Sequence, residues 1–200
     1  EMGKVQGPIV RYYPNGKMSS KANVIQDSYE GAYTFYDPTG KTLLLEIDYD
    51  SDNAFQYSYL QANGHMSQPQ RFSNEAQTVT AQYPNGKTAL VANFEQGLRN
   101  GSWVVYYTNG QAAESAQFKN GDLDGSYLFY YPNGKIFQKA EYRNGEPHDA
   151  YELYFENGQK AYEGNYYYSI YHGDFKKYDQ TGKLLHKVTT YYGIPTKEEK

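Results

Sequence analysis

The chain has 200 residues, a formal net charge of −4 and no cysteine. The acidic balance, with no runs of Lys or Arg, argues against nucleic-acid and anionic-membrane partners, because phosphate binding needs a basic surface. The missing thiols remove disulfides, thiolate zinc sites and a cysteine nucleophile.

Leu, Ile, Val and Phe make up only 34 residues, and 25 tyrosines take their place. Tyrosine favours strands and buries a large ring while its hydroxyl stays wet, so the expected core is aromatic and amphipathic. No window approaches 18 apolar residues, so no transmembrane helix is predicted. The chain starts at Glu1 without a charged-then-apolar leader.

In chain order, the first predicted element is a hairpin around "YYPNGK" at Tyr12–Lys17. Pro presets φ at the head of a turn, Gly supplies a positive φ, and Asn tolerates the left-handed region. A second hairpin turns at Thr39-Gly40, after Gly31, Tyr33 and Tyr36. The third, at Asn63-Gly64, is degenerate over residues 51–75: Phe55 replaces the upstream glycine and Pro69 interrupts "SQPQRF". That predicts a bulge, bend or break.

From there the pattern is regular, with turns at 85–86, 109–110, 133–134, 157–158 and 181–182. The turn glycines, from Gly16 to Gly182, are spaced 24, 24, 22, 24, 24, 24 and 24 residues apart. Such a period marks a repeat architecture. A second glycine stands nine residues upstream of five of them, and Asp149 takes that place in the seventh repeat. The tail, residues 194–200, is charged and expected to fray.

Each repeat reads as strand, tight turn, return strand, then a second turn to the next repeat. Alternation puts Trp103, Val105 and Tyr107 on one side and Val104 and Tyr106 on the other. The column seven before the turn glycine, including Tyr127 and Tyr151, is expected to pack the array. The column four before it comprises Tyr12, Tyr36, Tyr106, Tyr130, Tyr154 and Tyr178, on a mixed polar face. Small residues six after the glycine, Ala92, Ala116, Ala140 and Gly164 among them, are expected to make room for a neighbouring ring. The fold class is therefore all-β: one domain spanning 1–200, an elongated, twisted and curved antiparallel meander of about eight 24-residue hairpins.

"GSWVVYYTNGQAAESAQFKNG" (101–121) and "GSYLFYYPNGKIFQKAEYRNG" (125–145) resemble the variant-type MORN repeats of bacterial proteins labelled YwqK-family antitoxins. The resemblance spans nearly all of residues 7–193 and implies a role in binding a partner protein. It also leans towards an exported bacterial protein, in the periplasm or at the cell surface, with a cytoplasmic location left open.

Little else carries chemistry. His148 and His172 lie 24 apart, at equivalent places, where a solvated turn edge is expected and no metal site, since successive repeats lie roughly 10 Å apart. "EIDYDSD" lacks the spacing of a calcium loop, and no serine has a histidine in phase. The expectation is a non-enzyme without cofactor or metal. It binds another protein through one sheet face or an open end, with the tyrosine column from Tyr12 to Tyr178 as the candidate surface. The alternative is a glycan or cell-envelope module using the same tyrosines.

Overall fold

The computed structural model describes residues 4–199. It divides into two compact units, Glu1–Ala112 and Ala113–Lys200. All strand pairings are antiparallel, and helix is absent among the described residues.

The N-terminal unit contains β1 (Gly7–Tyr12), β2 (Met18–Ile25), β3 (Ser28–Tyr29), β4 (Gly31–Tyr36), β5 (Leu43–Asp50), β6 (Asn53–Tyr59), β7 (Gln70–Arg71), β8 (Gln77–Gln82), β9 (Thr88–Glu95) and β10 (Leu98–Tyr106). Strands β1-β2-β4-β5-β6-β7 pair in that order, with β3 on β2, and the pairing restarts at β8-β9-β10. The break falls in the degenerate third repeat, where Pro69 and the shortened spacing interrupt the hydrogen-bonding pattern. The two sets of strands then face each other. Phe35 meets Trp103 at 5.0 Å, Phe72 meets Phe94 at 5.1 Å, and the Arg99 guanidinium lies 5.9 Å over Phe35 and 5.8 Å over Trp103.

Tyr33, Leu44, Leu45, Ile47, Val79, Leu90, Phe94 and Val105 are buried in this two-layer core. Each such side chain contributes about 1.5–3 kcal/mol.

The C-terminal unit holds all but the first residue of β11 (Ala112–Lys119), and β12 (Asp122–Tyr130), β13 (Ile136–Arg143), β14 (Glu146–Tyr154), β15 (Lys160–Tyr167), β16 (Ile170–Tyr171), β17 (Gly173–Tyr178), β18 (Leu184–Tyr191) and β19 (Ile194–Glu199). They pair in the order β11-β12-β13-β14-β15-β17-β18-β19, with β16 on β15. The tail that the sequence suggested would fray is a strand: β19 pairs with β18 from Tyr191↔Ile194 to Lys187↔Glu199, while Lys200 lies outside the described residues.

The two kinds of turn differ from the expectation built on Asn-Gly. At the tips, only the glycine has positive φ, as at Gly16 (φ 78). Gly16 N–H donates to Tyr13 O at 2.8 Å and Tyr13 N–H to Lys17 O at 2.7 Å. This is a type I turn closed by a left-handed glycine. Asn15 stays out of the left-handed region because Pro14, with φ held near −65°, cannot open a mirror-image turn. Its side chain instead accepts from Lys17 N–H at 3.0 Å. The mirror-image turns lie at the other end of each hairpin, where both central residues have positive φ, as at Asn144-Gly145.

The same side chains tie each repeat to the next. Tyr13 donates its hydroxyl to Tyr36 O at 2.6 Å, Tyr83 to Tyr106 O at 2.7 Å and Tyr131 to Tyr154 O at 2.8 Å. Asn15, Asn85 and Asn157 donate to the carbonyls of Pro38, Thr108 and Gln180. The tip lysines also reach across: Lys87 Nζ donates to Asn109 O at 2.6 Å and Lys135 Nζ to Asn157 O at 3.2 Å.

Where the tip reads Asp-x-Thr-Gly, Asp takes over the work of Asn. Asp37 Oδ1 accepts from Thr39 Oγ1, Lys41 N and Thr42 N, and Asp179 Oδ1 accepts from Thr181 Oγ1, Thr181 N and Lys183 N. Asp at the first turn position and Thr at the third therefore act as a pair.

Candidate binding surface

In the C-terminal unit the strands follow one another as a single layer, so its two faces are chemically distinct. Register fixes the first. Tyr151 pairs with Gly164, Leu153 with Tyr162, Tyr162 with Lys177, and Phe175 with Val188. These residues share one side of the sheet with Tyr127, Ala140 and Tyr142. The small column does make room for rings: Ala140 sits between Tyr127 and Tyr151, and Gly164 lies beneath the Phe175 ring.

Tyr162 and Tyr166 lie 6.1 Å from Phe175, and Tyr171 lies 4.5 Å from it. Beside them is an apolar depression of about 300 Å³ lined by Tyr162, Tyr171, Phe175, Lys177, His186 and Val188, among others. Burial pushes the Tyr162 hydroxyl up to about 12.

The opposite face is polar and carries Tyr154 and Tyr178 of the tyrosine column singled out in the sequence. Lys160 Nζ lies 2.7 Å from both Glu152 Oε1 and Glu163 Oε2, and Lys176 Nζ lies 3.1 Å from Glu163 Oε1. Tyr154 donates to Glu152 at 2.8 Å and Tyr178 to Glu163 at 2.7 Å. The Lys160 hydrogen bond, acting against partial burial, holds the Glu163 carboxyl down to about 2. Burial favours neutral Glu152 and neutral Lys160, but their mutual hydrogen bond and the neighbouring donors outweigh it. Glu152 is lowered and Lys160 raised.

The sequence reading missed this network. Its signal was available only through register, which sets Glu152 directly opposite Glu163.

Of the remaining candidates, Tyr12 is exposed and Tyr36, Tyr106 and Tyr130 are half-buried. They do not converge on a single point. They are spread one per repeat along the strand ends.

The histidine rung differs from the solvated edge expected. His148 is buried and its Nδ1 accepts from Tyr168 N–H at 3.4 Å, while His172 Nδ1 is shielded from solvent. Both sit beneath tyrosines of the last turns. No group of three or more His, Asp and Glu converges as a metal site among the described residues, and no described helix is long and apolar enough to cross a membrane.

The sequence pattern of the MORN repeat variant matches residues 5–26, 99–120, 123–144, 150–166 and 171–191. The longest unmatched stretch, 27–98, holds the Asp-Pro-Thr-Gly tip and the break at the third repeat, where the local sequence departs most from the common unit. No curated protein matches the chain. With a little over half of its length matched, and hairpins stacked in the corresponding phase, the chain belongs to the MORN repeat variant family, whose members are repeat scaffolds.

Proposed function

We propose that this chain is a non-catalytic scaffold that binds another protein through the C-terminal unit. One observation carries the reading. In the N-terminal unit two layers cover each other's aromatic columns, burying Tyr33, Phe35 and Trp103. Among the described residues of the C-terminal unit the equivalent aromatic face has no second layer, and Tyr162, Tyr166 and Tyr171 stay half-buried or exposed beside an apolar depression. Exposed tyrosines offer contact area at low conformational-entropy cost.

The polar face supports the non-catalytic part. Glu152 and Glu163 are engaged by Lys160, Lys176, Tyr154 and Tyr178, an arrangement that holds a sheet together rather than one poised to exchange protons. The column of Tyr130, Tyr154 and Tyr178 forms a second candidate contact set on that face.

Affinity capture with the purified chain, followed by titration of the purified partner, tests the proposal. Tyr162→Ser with Tyr171→Ser should weaken binding if the aromatic face is used, and Tyr130→Ala with Tyr154→Ala if the polar face is used. Failure to find a partner, or binding insensitive to both pairs, overturns it. An antitoxin-like role further requires that the partner arrest growth and that co-expression of this chain relieve the arrest.

A glycan-binding reading draws on Tyr154 lying beside the Glu152–Lys160 polar group, since a ring next to charged donors and acceptors suits a sugar. Loss of glycan-array signal in the Tyr130 and Tyr154 variants would favour it.

A further inference from the structure

The last two mirror-image turns break a rule that the others keep. Their central pairs elsewhere are Gln26-Asp27, Ser51-Asp52, Gln96-Gly97, Asn120-Gly121 and Asn144-Gly145. These are small or polar residues suited to the left-handed region. The sixth turn is Tyr168-Ser169, with φ 47° and 63°, and the seventh is Tyr192-Gly193, with Tyr192 at φ 46°. A bulky ring in that conformation is strained, and strain retained at an exposed position is a pointer to function.

The strained residues do not stand alone. Tyr167, Tyr168, Tyr191 and Tyr192 are 40–60% exposed. Their rings form one cluster, with Tyr167–Tyr168 at 5.0 Å, Tyr167–Tyr192 at 5.8 Å and Tyr191–Tyr192 at 4.8 Å, mostly edge to face. Two imidazoles support it from below. His148 lies 4.6 Å from Tyr168 and fixes that turn by accepting its backbone N–H. His172 lies 5.1 Å from Tyr192 and 5.5 Å from Tyr191, with Nδ1 inaccessible and without a hydrogen-bond partner among the described residues. Exposed Ile170 and Ile194 pair across the strands with Tyr167 and Tyr191. Asp149 lies 3.8 Å from His148 Nε2, and Arg143 pairs with Asp149 at 3.9 Å. Among the described residues no lysine or arginine side chain lies over these four rings.

We propose that the cluster of Tyr167, Tyr168, Tyr191 and Tyr192 is a binding site for an arginine side chain presented by a partner protein. This rests on the protein-binding reading above and names the group recognised. Three observations favour that occupant. Ring faces carry the negative end of the aromatic quadrupole and attract cations. The molecule shows the arrangement elsewhere with its own cation, Arg99 seated over Phe35 and Trp103. The net charge of −4 favours a basic partner over an acidic one. A planar, weakly hydrated guanidinium stacks on rings better than a compact ammonium does, so arginine is chosen over lysine.

The test uses the whole chain, a short unstructured glycine–arginine peptide and its glycine–lysine counterpart, followed by aromatic-region NMR. The arginine peptide should give saturable shifts at Tyr167, Tyr168, Tyr191 and Tyr192, and the lysine peptide should bind more weakly by about fivefold.

The decisive variant is Tyr168→Asn with Tyr192→Asn. Asn is the residue that two of the other turns use at that position, so the variant should unfold at an equal or higher urea concentration while binding the arginine peptide at least about tenfold more weakly. Absence of saturable shifts, equal binding of the lysine peptide, or undiminished binding by the folded variant overturns the proposal. A partner whose affinity survives this variant removes the arginine site but leaves the scaffold reading intact. Saturable arginine binding with no protein partner keeps the site and removes the scaffold reading.

Discussion

The Gly164–Phe175 contact is a sharp test of how these hairpins stack. An added Cβ at Gly164 would stand 2.2 Å from both Cδ1 and Cε1 of Phe175 and 3.1 Å from Cγ. Carbon atoms pack at about 3.5–4.0 Å, so the ring would have to withdraw by more than about 1 Å. Little room exists for that, because Phe175 is 7% exposed and enclosed by Tyr162, Tyr166 and Tyr171.

Overpacking of this kind costs about 1–3 kcal/mol. Gly164 does not have positive φ, so Ala brings no backbone penalty and regains about 0.5–1 kcal/mol of chain entropy. The net expectation for Gly164→Ala is a loss of about 1–2 kcal/mol. With a urea m-value of about 2 kcal/mol/M, that lowers the midpoint by about 0.5–1 M.

Phe175→Leu should also destabilise, by leaving space above the glycine. The double variant should lose less than the sum, with a coupling of about 1 kcal/mol or more, because the added methyl fills what the smaller side chain vacates. The measurement is equilibrium urea unfolding of the four proteins by near-ultraviolet circular dichroism, which reports tyrosine packing. A neutral or stabilising Gly164→Ala, or strictly additive losses, would refute the packing argument.

Asp149 occupies a left-handed position, φ 62°, that glycine fills in five other repeats. Asp149→Gly should therefore stabilise by about 1 kcal/mol, read as a higher urea midpoint, since the exposed Arg143 pair that it loses is weak. Asp37, 2% exposed, holds the Thr39-Gly40 tip through three hydrogen bonds to one oxygen. Asp37→Ala should cost about 2–3 kcal/mol in the same assay, and Asp179→Ala, at the more open equivalent tip, should cost less.

Acid should act through Glu163. Its carboxyl is held near 2 in the folded chain against an ordinary 4.5, so the unfolded chain takes up the proton first. The stability it contributes is fully present above about pH 4.5 and is lost as pH falls towards 2. Thermal midpoints measured from pH 6 to pH 2 should fall less steeply in Glu163→Gln than in the parent, and identical slopes would argue against the network.

Much of the fold was legible because turns are local. Pro-Asn-Gly and the 24-residue spacing announce hairpins, and the worn third repeat marks the place where strand order breaks. The faces were legible because strand side chains alternate. Other features were hidden in pairings across strands. Nothing in the string "YEGNYYYSIYHG" states that Glu163 will meet Lys160, Lys176 and Tyr178, or that His172 will lie beneath Tyr191 and Tyr192. Register and twist bring those groups together.

The sequence by itself determined the repeat, the strand-and-turn order and which residues share a face, because all three follow from backbone angles and a period of two. Only the tertiary structure decided how much of each column is covered. Trp103 and Tyr151 hold the same place in their repeats. Trp103 is 4% exposed against Phe35 and Phe94, whereas Tyr151 is half-buried on a face with no second layer among the described residues of its unit. Burial depends on what packs above a strand. For Trp103 that is Phe35, in a hairpin far back along the chain.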